Sequence, residues 1–479
     1  MWKQIMVLLF IPLSAGAQYK GATVNLTLEE SYRLMNKGNQ TLKIAREQIG
    51  MAREERQILN SSWYPSLDAS GAYVHLANDI EVKEPLSQFT DPAKDFVHTI
   101  LPDDKLISSI LTQIGSYSLS FPLLKQNLTT VDASLVWPVF TGGKRIFANK
   151  IGRSMERLAE VNMEQTGATL QASLVESYYA VRLAKKVVQV REETFSALQK
   201  HFQDALKLQE NGMITKAEKL VVQVNRDEAK RELESARKDY NVAQQALCTL
   251  LNIEQPVDIL AVSPLFMNEE LPSEAYFKEL IPVESYPVEQ LYHQTELLKN
   301  QQRINRSAYV PNIALFGKQT LYAKNLPKNL MPRTMIGIGF TWTLFDGWKR
   351  EATIRQTERS LESLALGREK AVNELSVLVE KLYSEMLNAQ DNVTALNTTI
   401  AMSRELVRIR RKSFQEGMAT STEVIDAETM LSKVQIAFLL AYYQYDVALA
   451  NLLTACGMPD SFWQYARQGK TEDFIFESK

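Results

Sequence analysis

Apolar residues recur at every seventh position over two long stretches of the chain that contain no proline. A sustained seven-residue period is typical of supercoiled helices that pack along a seam, whereas a simple amphipathic helix on a globular core drifts away from it. Because proline breaks helix interiors, its absence from 139–255 and 333–458 favours helices of unusual length. The periodic positions are Leu174, Val181, Val188, Phe195 and Phe202 in the first stretch, and Val372, Val379, Met386, Val393, Ile400, Val407 and Phe414 in the second.

A glycine follows each seam, and a second helical pattern begins after it. These glycines are Gly212 and Gly417. Glycine suits a helix end at which the chain reverses direction. Each half of the chain is therefore predicted to contain a helical hairpin with its tip at this turn. The first arm, over 144–210, would be roughly 100 Å long at 1.5 Å per residue.

Before each long helix the apolar period changes from seven to two. Alternating apolar residues are Val131, Ala133, Leu135, Trp137 and Val139 in the first half, and Ile336, Ile338, Phe340, Trp342 and Leu344 in the second. Strands of about nine to eleven residues are long enough to cross a bilayer at a tilt. Apolar residues alternating with small or polar ones are typical of a membrane barrel. A small soluble sheet with one buried face is the alternative.

Four such strands per chain cannot close a barrel. An open strand edge in lipid would leave backbone N–H and C=O groups unpaired, at several kcal/mol each. If the strands span a membrane, several chains must therefore pool them: two chains would give eight strands and three would give twelve. The helical part would assemble with the same symmetry.

The junction between strand and long helix occurs twice in the chain, in nearly the same sequence. Residues 137–145 read WPVFTGGKR and residues 342–350 read WTLFDGWKR, and the same offset relates Gly212 to Gly417. The chain is thus an internal duplication. Trp137 and Trp342 end the outward-facing rows, where an aromatic belt meets the edge of a membrane. The Lys-Arg pairs that follow are predicted to contact lipid headgroups.

These patterns divide the chain into five segments. They are a signal peptide (1–17), a first repeat (18–252), an equatorial segment (253–283), a second repeat (284–457) and a C-terminal equatorial segment (458–479). The first repeat is predicted to contain a helix (27–62), strands (about 64–75 and 128–140), a long loop (76–127) and a hairpin (144–252). The second is predicted to contain a helix (284–308), strands (about 311–321 and 334–345) and a hairpin (347–457).

The N-terminal sequence predicts export of the protein, and the composition and motifs argue against several classes of function. The first 17 residues combine a lysine, an apolar run and Ala15-Gly16-Ala17, as in a secretory signal peptide cleaved before Gln18. A formal net charge of −2 gives no reason to expect nucleic acid as a partner. The histidines show no metal-ligand spacing, and no phosphate loop or nucleophile motif occurs, so neither an enzyme nor a cofactor is predicted. Cys248 and Cys456 are interpreted as small buried apolar residues, and a disulfide between them is the alternative.

The duplicated order of helix, two strands and long hairpin resembles the TolC family of outer-membrane efflux proteins. The motifs that carry the resemblance are YPSLDASG, WPVFTGG, FTWTLFDGWKR and FQEGMATSTEVIDAE. The resemblance implies a mainly α fold with a small β part, in which three chains form a 12-stranded outer-membrane barrel and a periplasmic α-helical tunnel. It also implies that the loop 76–127 faces outside the cell, where it would be a partial lid or a passive ornament.

The resemblance also points to residues of the hairpin tip. In the family, acids shortly after the second turn glycine form a cation-attracting ring, and the matching positions here are Glu423 and Asp426. Ordinary solvated helix charge is the alternative. Folding the hairpin about Gly417 sets Arg411 opposite Glu423 and Arg408 opposite Asp426, which predicts tip ion pairs. Phe414 would either narrow the tip or simply continue the seam.

The function implied is a passive conduit of a tripartite efflux or type I secretion system. Its expected partners are two further copies of itself, outer-membrane lipid, a periplasmic adaptor and an inner-membrane pump. It would lie in the outer membrane of a Gram-negative bacterium with a large periplasmic portion. The alternative is a soluble periplasmic coiled-coil adaptor or scaffold, although such proteins usually carry one hairpin rather than two duplicated ones.

Overall fold

The computed structural model describes residues 23–100, 105–253, 257–325 and 332–472. The predicted signal peptide therefore lies outside the described residues. The chain forms two compact units. The helical unit comprises residues up to 52, 154–295 and residues from 362 onward, and the sheet unit comprises 53–153 and 296–361.

The chain contains long helices joined by short strands, in the predicted duplicated order. The described helices are α1 (Leu28–Gly38), α2 (Gln40–Ser61), α3 (Ser87–Ile100), α4 (Lys105–Gly115), α5 (Lys144–Glu210), α6 (Lys216–Leu251), α7 (Glu274–Glu284), α8 (Tyr286–Arg306), α9 (Lys349–Gln415), α10 (Ser421–Ala455) and α11 (Phe462–Gln468). The described strands are β1 (Thr23–Leu26), β2 (Ser66–His75), β3 (Ile80–Pro85), β4 (Ser118–Leu124), β5 (Asn127–Phe140), β6 (Asp258–Ala261), β7 (Phe266–Met267), β8 (Asn312–Lys324), β9 (Thr334–Thr341) and β10 (Lys470–Thr471). The two long arms, α5 and α9, have 67 residues each.

The seven-residue period marks the packed face of both long helices. Its positions on α9 from Val379 to Phe414 are buried, and so are Leu174, Val181 and Val188 on α5. Val372, Phe195 and Phe202 are partly buried and pack against the same cores. The predicted coiled-coil seam is confirmed. The largest buried side chains of this core, including Tyr178 and Tyr445, lie between the packed helices.

One predicted helix is two helices in the structure. The segment 27–62 divides at Asn39, which has an extended backbone conformation and ends α1. Its side-chain oxygen accepts hydrogen bonds from the backbone N–H groups of Thr41 and Leu42, and so caps the start of α2. The side-chain amide of Asn39 also donates to the Leu250 carbonyl, 3.1 Å away. Local capping by one asparagine therefore overrides the continuous helical pattern.

Short strands from distant parts of the chain meet in the helical unit. β1 pairs in parallel with β6, and β10 pairs antiparallel with β7. Phe266 of β7 contacts the rings of Tyr179, Tyr445 and Phe462 at centroid distances of 5.5–6.4 Å. The segments predicted as equatorial thus supply β6, β7, α7, α11 and β10 to one aromatic core. Cys248 and Cys456 are free thiols, and burial raises the pKa of Cys456 to about 12.

A buried carboxyl group lies beside this aromatic core. Asp446 is completely buried, and one of its oxygens accepts a hydrogen bond from the Phe266 N–H at 3.3 Å. Among the described residues its other oxygen, Oδ1, has no hydrogen-bond partner. Burial, followed by the charge of nearby Glu472, raises the pKa of Asp446 well above its usual value. The folded protein therefore favours the protonated acid.

We expect Asp446→Asn to flatten the pH dependence of stability. A carboxyl whose pKa is raised on folding contributes stability below its unfolded pKa, and that stability is lost as pH rises through the folded pKa. The wild type should therefore lose about 1.4 kcal/mol for each pH unit in that window, relative to the asparagine variant. Thermal unfolding followed by circular dichroism from pH 4 to pH 9 measures this. Parallel profiles for the two proteins would show that Asp446 does not titrate differently on folding.

Helix α10 is long and apolar because it is a core helix. It is the one helix among the described residues that is long and apolar enough to cross a membrane, but 61% of its most apolar window is buried inside the protein. Tyr445, Leu449, Leu452 and Leu453 of α10 are fully buried. Its apolar composition is therefore explained by packing against neighbouring helices.

Four strands form the sheet of the sheet unit, in the order β2-β5-β8-β9, and all are antiparallel. Ile336, Ile338 and Phe340 of β9 are exposed, and so is Leu67 of β2. These residues lie on one face, whereas Asp132, Ser134, Lys318 and the glycines of β9 lie on the other, as the pairing register requires. The sheet therefore has an apolar face and a polar face, and β2 and β9 are its two unpaired edges.

The segment predicted as a long loop contains secondary structure. Strands β3 and β4 pair as an antiparallel ribbon, and α3 and α4 lie between them. Several apolar side chains of α3 and α4, including Phe89, Phe96 and Ile110, are exposed. The pattern was not visible from the sequence because α3 contains an internal proline and both helices are short.

Candidate functional site

The two hairpin tips are built from the same local elements. Gly212 and Gly417 both adopt a left-handed backbone conformation, with φ of 73° and 71°. In each turn the following methionine N–H donates at 2.8 Å to a carbonyl of the last helical turn, from Met213 to Leu208 and from Met418 to Ser413. Such bonds satisfy carbonyls at a helix end that would otherwise lack partners. The structure thus places the chain reversals where the sequence analysis puts them.

The acid after each turn is used differently in the two repeats. Thr215 and Glu218 form a reciprocal capping box at the start of α6. At the matching place in α10, Thr420 accepts from the Glu423 N–H, but the Glu423 carboxylate turns to Arg410, 2.5 Å away. The first repeat has Ala205 where the second has Arg410, so only the second tip can form this pair.

The predicted partners of the tip ion pairs are wrong. Arg411 pairs with Glu428 rather than with Glu423, and Arg408 pairs with Glu405 of its own helix at 2.6 Å. Counting equal distances from Gly417 ignores the turn between Gln415 and Ser421 and the rotation of side chains about each helix. Only residues on the facing sides of α9 and α10 can meet.

The structure adds two residues to the tip that the sequence reasoning missed. Glu428 is buried and ion-paired, although it resembled an ordinary helix charge in the sequence. His201 of α5 is also buried, and its ring lies 4.5 Å from the Phe414 ring. Burial lowers the pKa of His201, which favours the neutral imidazole. An apolar period alone could not single out either residue, because neither side chain is apolar.

Phe414 belongs to the seam within one chain. It is buried against His201, and both line a cavity of about 490 Å³ together with Glu192, Lys200, Asp204 and Arg411. Glu423 is half-buried and Asp426 is exposed. The phenyl ring of Phe414 thus faces its own helices, and the cation-attracting role of the two acids stays a prediction.

The duplicated tryptophans anchor the strand-to-helix junctions. The Trp137 indole N–H donates to the Trp63 carbonyl, and the Trp342 indole N–H donates to the Tyr309 carbonyl, both at 3.1 Å. Both indoles are half exposed, at 43% and 50%. This anchoring holds the rings at the end of the outward-facing rows, where the belt was predicted. Contact with lipid stays a prediction.

The arginines of the duplicated motif bind the chain itself. The Arg145 guanidinium lies 4.4 Å from the centre of the Trp63 ring, and that of Arg350 lies 4.8 Å from the Tyr309 ring. Each also donates to a backbone carbonyl that precedes its helix, that of Val139 in β5 for Arg145 and that of Leu344, just after β9, for Arg350. These contacts explain cations in the first turn of a helix, where the helix dipole disfavours them. Contact of these arginines with lipid headgroups stays a prediction.

The family model described as outer membrane efflux protein matches residues 111–252 and 287–458. The chain belongs to the outer membrane efflux protein family. The two matched ranges correspond to the two repeats and together cover more than half of the chain. The predicted family is therefore confirmed, and the alternative of a soluble adaptor is not supported.

Named relatives and a solved structure agree with this family. The chain is 23% identical to the alkaline protease secretion protein AprF of Pseudomonas aeruginosa over 317 residues, which are 64% of this chain and 66% of AprF. It is 22% identical to the cobalt-zinc-cadmium resistance protein CzcC of Cupriavidus metallidurans over 320 residues, 66% of this chain and 74% of CzcC. Its fold is similar to the crystal structure of CusC, with a TM-score of 0.71 and 15% identity over 93% of this chain and 95% of CusC.

The predicted fold class is confirmed by these comparisons. The outer membrane efflux protein is mainly helical, with two repeats of long helical hairpins and four strands that form one sheet. The matched family consists of channels rather than enzymes.

Proposed function

We propose that this outer membrane efflux protein forms a homotrimeric channel that serves as the passive exit of a tripartite efflux or type I secretion system. The observation that carries the proposal is the sheet β2-β5-β8-β9, which has an exposed apolar face and two open edges. In lipid those edges require partners, because no water is present to satisfy their N–H and C=O groups. Three copies, each pairing β9 with β2 of the next, would close a barrel of twelve strands.

Exposed apolar residues of the helical unit support the same assembly. Met402, Leu406 and Ile409 recur on one side of α9 at helical spacing and are exposed, although the seam of the same helix is buried. On α6, Leu220, Val221 and Val224 are exposed close to the other tip. A second copy of the chain would cover such stripes, since both hairpins of one chain already use their other faces.

Membership of the family supports the proposal of the remaining partners. We place the sheet in the outer membrane of a Gram-negative bacterium and the helical hairpins in the periplasm, where an adaptor and an inner-membrane pump would meet the tips. The relatives are named for protease secretion and for metal resistance, so they do not assign one cargo to this chain. The pump would supply energy and select the cargo, while this protein would offer a water-filled path.

Membrane fractionation and bilayer recordings test this function. We expect the protein in the outer-membrane fraction, resistant to washing with salt and alkali, and as a trimer after chemical cross-linking. Purified trimers should give discrete conductance steps in planar lipid bilayers. A protein that washes off as a soluble monomer and forms no channel would contradict the proposal.

The acids of the second tip are proposed to attract cations. Three copies would bring Glu423 and Asp426 of each chain near one axis, and rings of carboxylates favour cations in a pore. We expect Glu423→Gln combined with Asp426→Asn to lower the ratio of cation to anion permeability, measured as the reversal potential under a KCl gradient. Glu218→Gln at the first tip is the matched control, because that acid caps its own helix. Equal reversal potentials for wild type and double variant would refute the acidic ring.

The pairs Arg410–Glu423 and Arg411–Glu428 are proposed to hold the second hairpin in its closed form. Both join α9 to α10 within the last turns before the tip. The Arg410–Glu423 pair is partly exposed, and a single exposed pair contributes only about 0.2–1 kcal/mol, so a stable closed form requires the several copies that a trimer supplies. Glu423 would then join the cation ring when its pair with Arg410 opens.

A further inference from the structure

The polar face of the sheet carries an ion pair that the duplicated architecture does not require. The Lys318 ammonium of β8 lies 3.1 Å from one carboxylate oxygen of Asp132 on β5. The Thr320 hydroxyl donates to the other carboxylate oxygen at 2.7 Å. Both oxygens of Asp132 are thus engaged, and its side chain is only 13% exposed, against 45% for Lys318.

The register shows why these side chains meet. Asp132 stands opposite Thr320, and Lys318 stands opposite Ser134, so the ion pair is a diagonal neighbour on one face. The pairing of β5 with β8 shifts between Val131 and Asp132, where Leu321 is the extra residue. Such a bulge changes the direction of neighbouring side chains, and bulges are common beside functional sites.

The pair joins the first repeat to the second, and the duplicated positions do not carry a matching pair. The duplicated framework places Gly337 at the position of Asp132 and Ala72 at the position of Lys318. In the proposed trimer, these two uncharged residues would lie on the neighbouring strands β9 and β2 at the edge between copies. The ion pair is therefore a feature of the β5–β8 pairing and not of the repeated framework.

Few charges lie on this face of the sheet. Within the described strands β2, β5, β8 and β9, the face opposite the apolar one carries Asp68, Asp132 and Lys318 as its charged residues. Asp68 is exposed and lies opposite Ser134. Because Lys318 neutralises Asp132, the net charge of this polar face is that of Asp68 alone.

We infer that Lys318 masks Asp132 and thereby sets the charge, and so the ion preference, of the barrel lumen. The inference rests on the proposed trimeric channel, in which this polar face lines a water-filled path. A unit charge about 10 Å from an ion in water changes the local ion concentration by about twofold. Threefold repetition multiplies the effect, because three unmasked carboxylates would line the same lumen.

Reversal potentials of purified trimers under a KCl gradient test the inference. We expect Lys318→Met to raise the ratio of cation to anion permeability by at least about twofold at low salt, with a smaller change at high salt because of screening. Asp132→Asn should shift the ratio toward anions, because it leaves Lys318 unpaired. The double variant should return toward the wild-type ratio, since both charges are then absent.

A control on the same strand separates lumen charge from net charge. Lys324 stands opposite Thr129, and both lie on the other face of the sheet from Asp132. Lys324→Met changes the net charge by the same amount as Lys318→Met, and we expect it to leave the permeability ratio unchanged. Identical ratios for wild type, Lys318→Met and Asp132→Asn would overturn the inference while leaving the channel intact. A wild type without conductance would instead refute the proposed function.

Discussion

Arg182→Met is expected to lower the free energy of unfolding by about 3–5 kcal/mol, the largest effect predicted for this protein. Arg182 of α5 donates from Nε to the Glu472 carboxylate at 2.8 Å and from Nη1 to the Ala261 carbonyl at 3.2 Å. The Glu472 side chain is completely buried and that of Arg182 is 14% exposed. Methionine fills a similar volume but removes the guanidinium that lies against a buried carboxylate. Thermal and guanidinium unfolding of the helical part, followed by circular dichroism, measure the loss.

Two further variants show whether the buried charge is the cause. Arg182→Met combined with Glu472→Gln should recover most of the lost stability, because the buried carboxylate is then removed together with the guanidinium. Arg191→Met on the same helix is the matched control, since its partner Glu232 is 36% exposed and water can solvate it. We expect that control to cost about 1 kcal/mol or less. Equal losses at Arg182 and Arg191 would show that burial of Glu472 is not decisive.

Gly142→Ala is expected to prevent stable assembly, whereas Gly347→Ala should be tolerated. The two glycines stand at matching positions of the duplicated junction and have similar left-handed conformations, with φ of 60° and 71°. A Cβ on Gly142 would lie 2.3 Å from a methyl group of Val310 and 2.9 Å from the Ser307 carbonyl oxygen. A Cβ on Gly347 would meet no atom within 4 Å.

The pair separates backbone strain from steric overlap. Both alanines incur the cost of a left-handed conformation, about 1–2 kcal/mol. Only the alanine at 142 adds overpacking, which costs a further 1–3 kcal/mol or so. The yield of cross-linked trimer and its melting temperature in detergent measure both variants. Similar behaviour of the two would mean that Val310 and Ser307 yield easily, and that the contact at Gly142 is not rigid.

The sequence by itself determined those features of this protein that follow a regular period or a duplicated motif. A seven-residue period predicts the buried seam from Val379 to Phe414, because a long coiled coil keeps the same face toward its partner at each period. A period of two predicts strands β5 and β9, and the repeated junction motif reveals the duplication. These features could be predicted because each depends on regular backbone geometry and on the burial of apolar residues.

Only the tertiary structure decided which side chains meet. The partner of Arg411 is Glu428, and Arg145 and Arg350 contact aromatic rings and backbone carbonyls. The sequence pattern likewise did not predict that His201 and Asp446 are buried, or that Asn39 divides one helix into two. It also did not predict the ion pair between Asp132 and Lys318. Each depends on the rotation of one element against another and on contacts between residues far apart in the chain. A periodic pattern shows that two faces will pack, but it does not specify the register that brings one charge to another.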